Sequence, residues 1–295
     1  MSSIEVEGKQ IAISNPEKML WPDIGVRKID YLKILANIAP YLIAHTTDKA
    51  LTSIRYPNGM GQDFFYQKRP PANTPEWVSI IIIGEDTFIN LNNLSTLIWL
   101  GNLAVVEFHI PFSKYTDDLL TALVFDLDPS KGQTFEDVAF CALKICETLS
   151  SLGVECLAKT SGASGLQIFI PANKMTFEQG RQINTFFGKY FAEKYPNLIT
   201  VERQVKNRGK KLYFDYLQMW RGKNIVSVYS PRAVACGAMS MPITWDELKK
   251  GIAPCDLNLL NAAKRLDEKG DLFKKVLREN TNTPVLDEII KNSGQ

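Results

Sequence analysis

The chain of 295 residues carries 34 basic and 32 acidic side chains, a net charge of +2, and 45% of its residues are hydrophobic. This composition predicts a globular protein with a substantial core and excludes the disordered, collagen-like and coiled-coil classes. The near balance of charges also excludes a histone-like polycation, although it permits a local basic groove. The most apolar run, residues 77–83, is too short to span a membrane, so we expect no membrane partner.

Cysteine and histidine usage limits the possible chemistry. The five cysteines are Cys141, Cys146, Cys156, Cys236 and Cys255. Their odd number and the lack of a C-x-x-C pair argue against a disulfide framework, so we expect a reducing, cytoplasmic setting without a signal peptide. Only His45 and His109 are available as histidines, which leaves almost no candidates for a zinc site or a histidine-based triad.

In the first part of the chain, hydrophobic periodicity predicts a short strand, a turn-rich connector and then a helix over residues 27–42. A strand, a Pro-Asn-Gly turn and a second strand follow over 51–70. A strand at 78–83 and a helix near 93–101 come next. Phe64 and Phe65 are adjacent within the second strand of this pair, so burial of both in different layers is the default expectation, and an exposed one could stack on a base.

The middle of the chain gives the clearest pattern. A strand over 121–129 precedes a helix that Thr134 caps, with Asp137 in the capping-box position and Gly153 at the end. Two strands flank a glycine loop at 161–165, a helix covers 176–195, and a strand is predicted over 212–218. From Trp245 onward the chain is mostly helical. Strands that alternate with helices predict mixed α/β sheets, and no clean linker divides the chain.

Asp126 and Asp128 are the first candidate site. Alternate side chains of a strand share a face, so the two carboxylates project together, ~6–7 Å apart at the backbone, while Leu127 points into the core. Two like charges repel each other unless a cation lies between them, and Mg²⁺ or Mn²⁺ prefers such oxygen ligands. The alternative is a strand end that turns into solvent, because D-x-D by itself is weak evidence.

The glycine loop is the second candidate. Ser161, Gly162 and Gly165 form a tight connection whose backbone N–H groups could approach an anion, and Lys159 could add a charge. Gln167 lies in the strand that leaves the loop. The alternative is a plain glycine-rich hairpin, and the sequence is not a Walker loop because no G-K-[ST] follows.

Asp215 is a lone acid among aromatic residues in a predicted strand, where a carboxylate is costly unless it is paired or binds a metal. A basic partner among residues 203–211 is the alternative explanation, and that basic segment is either a solvated face or a nucleic-acid contact. His109 could be a structural histidine or a functional one.

A basic set lies near the N-terminus. Lys18 lies in a turn and Lys28 at a helix N-terminus, where anions bind well. Asn15 and Arg27 complete the set. Each of these residues could equally be an ordinary surface residue.

The motifs in chain order resemble a known family. They are SNPEK, RYPNG, FFYQK, EFHIP, LVFDLDP, KTSGASGLQIFIP, FDYLQ, YSPRA and PITWDEL. The set resembles the polymerase domain of bacterial ligase D, the archaeo-eukaryotic primase-like polymerase of non-homologous end joining, over nearly the whole chain. The resemblance implies an α+β fold with an RRM-like catalytic core and an interlocked second α/β subdomain. It implies a single domain over 1–295, with DNA-end contacts mainly in 1–115, the catalytic core mainly in 116–245 and a helical part in 246–295.

The resemblance also implies roles for individual residues. Asp126, Asp128 and Asp215 match the metal-binding catalytic acids. Nucleotide contacts are implied for Ser161, Gly162, Lys159, Gln167, His109, Arg232 and Gln218. A pocket for the 5′-phosphate and the DNA is implied for Asn15, Lys18, Arg27, Lys28, Phe64 and Phe65.

The chain departs from the family at four positions. Gln167 and Ser164 stand where the family usually has histidine and lysine, which lowers the expected affinity for a triphosphate. Arg27 stands where threonine is usual, and Met219 follows Gln218 where asparagine is usual. The three acids are present, so the resemblance still implies activity.

The implied function is nucleotidyl transfer to DNA 3′ ends, template-directed and in some settings template-independent, which fills gaps and extends ends at double-strand breaks. It implies two Mn²⁺ or Mg²⁺ ions, nucleoside triphosphates with a preference for ribonucleotides, and DNA ends, a DNA ligase and a Ku-like protein as partners in the nucleoid-associated cytoplasm. Three alternatives remain open at this point: an end-bridging module with weak or no polymerase activity, a primase, and a metal-dependent phosphatase.

Overall fold

The computed structural model describes residues 2–277 and 284–293. In chain order its strands and helices are β1 (Ser2–Val6), β2 (Lys9–Ile13), β3 (Met19–Trp21), β4 (Val26–Arg27), α1 (Lys28–Thr46), β5 (Ala50–Arg55), β6 (Phe65–Gln67), β7 (Ile80–Ile83), β8 (Asp86–Asn90), α2 (Leu94–Asn102), β9 (Val105–Pro111), β10 (Leu119–Asp128), α3 (Phe135–Ser151), β11 (Leu157–Thr160), β12 (Leu166–Thr176), α4 (Phe177–Lys194), β13 (Ile199–Thr200), β14 (Leu212–Phe214), β15 (Asn224–Val226), β16 (Pro242–Ile243), α5 (Trp245–Lys249), α6 (Ala262–Lys269) and α7 (Pro284–Ser293). The expectation of mixed α/β sheets is confirmed.

The chain forms two compact units. The first unit comprises residues 1–111, 224–240 and 255–271, and the second comprises 112–223, 241–254 and 272–295. Both units are therefore assembled from separate chain segments. The predicted division into an N-terminal part, a catalytic core and a helical part stays a prediction.

In the first unit, one sheet has the strand order β15-β9-β5-β8-β7, and β6 pairs with β5. The predicted helix over 27–42 is α1, which extends to Thr46 and buries one apolar face that includes Leu35, Ile38 and Leu42. Helix α2 packs closely on α1 at Gly101, where an added Cβ would lie 2.5 Å from Leu35 Cδ1. The two helices can approach this closely only because Gly101 has no side chain.

The second unit contains a sheet of order β13-β14-β10-β12-β11-β16, in which β10 and β12 form a long antiparallel pair. Phe125 on β10 packs against Phe187 of α4 and Phe214 of β14. The predicted cap is confirmed, because Thr134 and Asp137 form a reciprocal capping box at the start of α3. This core fixes β10 as a central strand whose last residues carry the candidate acids.

Two expectations about secondary structure and burial are wrong. The strand predicted over 212–218 ends at Phe214, so Asp215 lies in the turn beyond β14. Phe64 and Phe65 are both exposed, at 52% and 45%, because β6 is a short edge strand that begins only at Phe65.

No helix in the part of the chain that the structure describes is long and apolar enough to cross a membrane.

The third wrong expectation concerns the cysteines. Cys236 and Cys255 form a disulfide in the first unit, with their Cα atoms 5.8 Å apart. The two segments meet because Met239 N donates to Leu257 O and Leu259 N donates to Gly237 O. Since this pairing joins residues that are 19 positions apart in the sequence, no local cysteine spacing could reveal it.

Candidate active site

The acid pair of β10 lies where the sequence places it. Leu127 is fully buried, whereas Asp126 is half-buried and Asp128 is exposed at the end of the strand. Asp126 pairs across the sheet with Gln167 of β12, and Asp128 pairs with Tyr213 of β14. The alternation of β10 therefore directs both carboxylates away from the core that holds Leu127.

Asp215 reaches the same edge from the neighbouring strand. Its backbone N–H donates to the carbonyl of Asp126 at 2.9 Å, which ties the turn after β14 to β10. Its carboxylate accepts hydrogen bonds from the Tyr213 hydroxyl and the Leu217 N–H, each at 3.1 Å, and lies 3.5 Å from Lys223 Nζ. The predicted basic partner exists, but it is Lys223 and not a member of the 203–211 segment.

Asp126, Asp128 and Asp215, here called the acidic cluster, influence one another electrostatically. Desolvation and the charges of Asp128 and Asp215 raise the pKa of Asp126. Desolvation and the charge of Asp215 likewise raise the pKa of Asp128. Like charges held this close favour a bound cation, because a cation would relieve their repulsion.

The acidic cluster fits divalent cations by its donor chemistry, since Mg²⁺ and Mn²⁺ prefer carboxylate oxygens. Among residues 2–277 and 284–293, no group of three or more acidic, histidine or cysteine side chains is arranged so that it could hold a metal ion. The Asp215 carboxylate faces Tyr213, Leu217 and Lys223. Binding of a cation by all three acids would therefore require their side chains to move.

The glycine loop lies directly beside the acidic cluster. An added Cβ at Gly165 would lie 2.8 Å from the carbonyl of Leu127 and 3.4 Å from Asp128 Oδ1. The Ser161 hydroxyl accepts hydrogen bonds from the N–H groups of Ala163 and Gly165, and Gly162 adopts a left-handed φ of 72°. The loop is therefore a tight connection held against the end of β10, as both interpretations of the sequence allow.

Lys159 and Gln167 are buried in the sheet next to Asp126. The Lys159 ammonium donates to Gln167 Oε1, and Gln167 Nε2 donates to Asp126 Oδ1 at 3.0 Å. Gln218 is also buried, and its N–H donates to the Asp215 carbonyl at 3.2 Å, which closes the turn after β14. Gln167 thus contacts the Asp126 side chain and Gln218 contacts the Asp215 backbone, whereas Lys159 is linked to Asp126 through Gln167.

His109 and Arg232 belong to the first unit, where they share one buried partner that the sequence did not reveal. Glu107 accepts a hydrogen bond from His109 Nε2 at 2.9 Å and from the Ala233 N–H at 3.0 Å, and it lies 3.1 Å from Arg232 Nε. Burial by itself would raise the pKa of Glu107, but His109 and Arg232 lower it to about 2. An acid between apolar residues of a strand was the signal that could have identified it.

Lys18 and Lys28 form a basic cluster with Arg55, a residue that the sequence analysis missed. Burial and the charges of Lys18 and Arg55 lower the pKa of Lys28 to about 8. The Lys28 ammonium donates to the Ser14 carbonyl, the Ser14 hydroxyl and the Asn102 carbonyl, and Lys18 Nζ donates to the Pro57 carbonyl at 2.9 Å. The Lys28 ammonium is therefore buried, and it adds positive charge to this region from beneath the protein surface.

The other predicted DNA-side residues surround this region of the first unit. Asn15 adopts a left-handed φ of 47°, and its carbonyl accepts the Lys18 N–H in a turn. Arg27 makes ion pairs with Glu17 and Asp30, which neutralise its charge. Phe65 lies under the Arg55 guanidinium, 5.0 Å from the ring centre, and Phe64 stacks on Tyr56.

The fold is shared with a solved structure of the polymerase domain from Mycobacterium tuberculosis ligase D in complex with DNA. The similarity has a TM-score of 0.84 and covers 92% of this chain and 99% of the solved one, at 24% identity. The chain therefore has the fold of that polymerase domain, with the acidic cluster at the end of a central antiparallel strand.

The family follows from the sequence comparison. The model of the LigD primase-polymerase domain matches residues 27–273. The chain belongs to this family of metal-dependent nucleotidyltransferases.

Two curated relatives give the scale of the similarity. The bifunctional non-homologous end joining protein LigD of Bacillus subtilis is 30% identical over 278 residues, which cover 94% of this chain and 46% of the relative. The multifunctional non-homologous end joining protein LigD of Mycolicibacterium smegmatis is 27% identical over 292 residues, which cover 95% of this chain and 37% of the relative. The chain thus spans less than half the length of both relatives.

Proposed function

We propose that the chain adds nucleotides to DNA 3′ ends and so fills gaps and extends ends during the repair of double-strand breaks by non-homologous end joining. The observation that carries this proposal is the hydrogen bond from Asp215 N–H to the Asp126 carbonyl, which brings the third acid to the pair on β10. Membership in the LigD primase-polymerase family supports it. The relatives' names link proteins of this kind to end joining, so a DNA ligase and a Ku-like protein are the proposed partners.

In the proposed mechanism, Asp126, Asp128 and Asp215 hold two divalent ions, Mn²⁺ or Mg²⁺. When bound, such ions neutralise the charge on the triphosphate and favour the deprotonated primer hydroxyl. The N–H groups of Ser161, Ala163 and Gly165 donate within the glycine loop. The N–H groups of Gly162 and Ser164 are proposed to bind phosphate oxygens. His109, Arg232 and Gln218 are proposed to contact the nucleotide, and the protein acts by positioning and by charge, without a covalent intermediate.

The residues proposed to contact the DNA belong to the first unit. Asn15, Lys18, Arg27 and Lys28 are proposed to hold the 5′-phosphate on the far side of a gap, with Arg55 adding charge. Phe64 and Phe65 are exposed aromatic rings that can stack on bases of the template. We further propose that the whole chain acts as a single domain, prefers ribonucleotides and works in the nucleoid-associated cytoplasm.

Nucleotide addition on a one-nucleotide gapped duplex with Mn²⁺ tests the proposal. We expect the wild-type protein to add one templated nucleotide, with ribonucleotides incorporated more efficiently than deoxyribonucleotides. Binding of the gapped duplex without any addition would contradict the polymerase function and favour the end-bridging alternative. Synthesis on a single strand without a primer would favour the primase alternative instead.

A further inference from the structure

Three neighbouring strands of the second unit carry a buried row of hydrogen-bonded side chains. Lys159 of β11 is paired in register with Gln167 of β12, and Gln167 is paired with Asp126 of β10. Lys159 donates to Gln167 Oε1, and Gln167 Nε2 donates to Asp126 Oδ1 at 3.0 Å. Lys159 is fully buried and Gln167 is 4% exposed, so water does not compete for these bonds.

The chemistry of the two ends fixes the orientation of the Gln167 amide. An ammonium group only donates hydrogen bonds and an ionised carboxylate only accepts them, whereas an amide has one acceptor end and one donor end. If the amide were flipped, its NH₂ group would face the Lys159 ammonium and its oxygen would face the Asp126 carboxylate. Lys159 therefore forces the donor end of Gln167 toward Asp126.

This arrangement uses one oxygen of the Asp126 carboxylate. In the chain segments that the structure describes, Gln167 is the donor to Oδ1, and no second side chain donates to this carboxylate. A carboxylate held through one oxygen keeps a defined orientation and offers its other oxygen to a ligand. Partners behind metal-binding side chains orient them in this way in many metal sites.

We propose that Lys159 and Gln167 are positioning residues that hold Asp126 through Oδ1 and present Oδ2 to a divalent cation. This inference rests on the proposed function, in which Asp126 is a metal ligand, and it replaces the expectation that Lys159 and Gln167 contact the nucleotide. A buried ammonium is costly in a protein interior unless it has such a partner. A positioning role accounts for a lysine that lies inside the sheet, out of reach of solvent.

Direct titration of the nucleotide-free protein with Mn²⁺, followed by electron paramagnetic resonance, tests the inference. Lys159→Met and Gln167→Leu should each weaken Mn²⁺ binding by roughly 10-fold to 100-fold, which is the usual effect of losing a residue that is hydrogen-bonded to a metal ligand. The double variant should bind no more weakly than the weaker-binding single variant, because both changes break the same row of hydrogen bonds from Lys159 through Gln167 to Asp126, here called the relay. Lys189→Met, which alters an exposed lysine of α4, is the matched control and should bind Mn²⁺ like the wild type.

Gln167→His provides the rescue, because neutral imidazole also has one acceptor and one donor nitrogen and can bridge Lys159 and Asp126. It should retain wild-type Mn²⁺ affinity. If Lys159→Met does not fold, as judged by circular dichroism, the comparison of Gln167→Leu with Gln167→His decides the question. Weaker binding only in Gln167→Leu supports the relay, whereas equal affinity in both variants overturns it.

The titration separates this inference from the proposed function. A wild-type protein that adds nucleotides, together with unchanged Mn²⁺ affinity in Lys159→Met and Gln167→Leu, would overturn the relay and leave the polymerase function intact. A wild-type protein that adds no nucleotide but follows the predicted pattern of Mn²⁺ affinities would overturn the function and support the relay. Additive losses in the double variant would also contradict a relay.

Discussion

Glu107 is a buried carboxylate that organises two basic side chains of the first unit, His109 and Arg232. Because its pKa falls from an ordinary value of 4.5 to about 2 in the folded protein, the unfolded chain binds its proton more readily. The stability that Glu107 contributes is therefore fully present above pH 4.5 and is lost as the pH falls through about 2. Protonation of Glu107 therefore changes the stability of the protein only at acidic pH, well below neutrality.

We predict that Glu107→Gln lowers the free energy of unfolding at pH 7 by about 2 kcal/mol, the scale of a hydrogen bond to a charged group. Urea unfolding of both proteins between pH 7 and pH 2.5 measures this difference. The difference should shrink as the pH falls below 4.5, because Glu107 then becomes protonated in the unfolded wild-type chain while it stays ionised in the folded protein down to about pH 2. A difference that does not change with pH would contradict the depressed pKa of Glu107.

Lys28 gives a second prediction at the residue scale. Its pKa of about 8 means that it loses its charge as the pH rises through 8, earlier than an ordinary lysine. If it helps to hold a 5′-phosphate, gapped DNA with that phosphate should bind more tightly than gapped DNA without it at pH 7. The preference should fall above pH 8, because the positive charge is lost, and it should also fall with added salt.

Fluorescence anisotropy with the two DNAs at pH 7, 8 and 9 measures this preference. Lys18→Ala should reduce it, whereas Lys189→Ala, which alters an exposed lysine of the second unit, should leave it unchanged. Equal affinity for both DNAs at low salt would count against a phosphate pocket in this region.

At the scale of secondary-structure elements, the connection between β11 and β12 depends on its closeness to β10. An added Cβ at Gly165 would lie 2.8 Å from the Leu127 carbonyl, a separation that backbone atoms must relieve by moving. We predict that Gly165→Ala destabilises the protein by about 1–3 kcal/mol, as overpacking usually does, and lowers nucleotide addition because the loop shifts away from Asp128. Thermal unfolding and gapped-DNA extension measure the two effects.

Ser164→Ala is the matched control for this loop, because Ser164 is exposed and lies next to Gly165. It should keep wild-type stability. A Gly165→Ala protein with unchanged stability and unchanged activity would show that the loop does not need its close contact with β10.

The elements that the sequence predicted well are those that local signals determine. The capping box of Thr134 and Asp137 needs only residues three positions apart, and α3 begins where the sequence placed it. Asp215 was predicted inside a strand because aromatic residues surround it. In the fold, its N–H bonds to the carbonyl of Asp126 and the chain turns, a result of tertiary contacts that a local pattern does not contain.

At the scale of the whole molecule, pairings between distant segments escaped the sequence analysis. Glu107 meets Arg232, and Cys236 meets Cys255, only because residues 224–240 and 255–271 return to the first unit. The motifs of the acidic cluster could be recognised in order along the chain, but their partners Tyr213 and Lys223 could not. The residues proposed for the site could therefore be selected from the sequence, whereas their supporting contacts required the fold.

The disulfide gives a prediction at this scale. A bridge that closes a loop of 19 residues should stabilise the folded protein by roughly 3 kcal/mol, because it restricts the unfolded chain. We predict that Cys255→Ser, or a thiol reductant, lowers the denaturant midpoint accordingly. Cys146→Ser is the control, because Cys146 is outside the bridge, and a reductant that leaves the wild-type midpoint unchanged would contradict a formed disulfide.

The central claim is that Asp126 and Asp128 at the end of β10 and Asp215 in the turn after β14 serve one reaction. Single-nucleotide extension of a gapped duplex by Asp215→Asn, compared with Asp126→Asn and the wild type at saturating Mn²⁺, tests it most directly. The account predicts that both variants lose at least about 100-fold in rate while they still bind the DNA. Extension by Asp215→Asn at the wild-type rate would contradict the account.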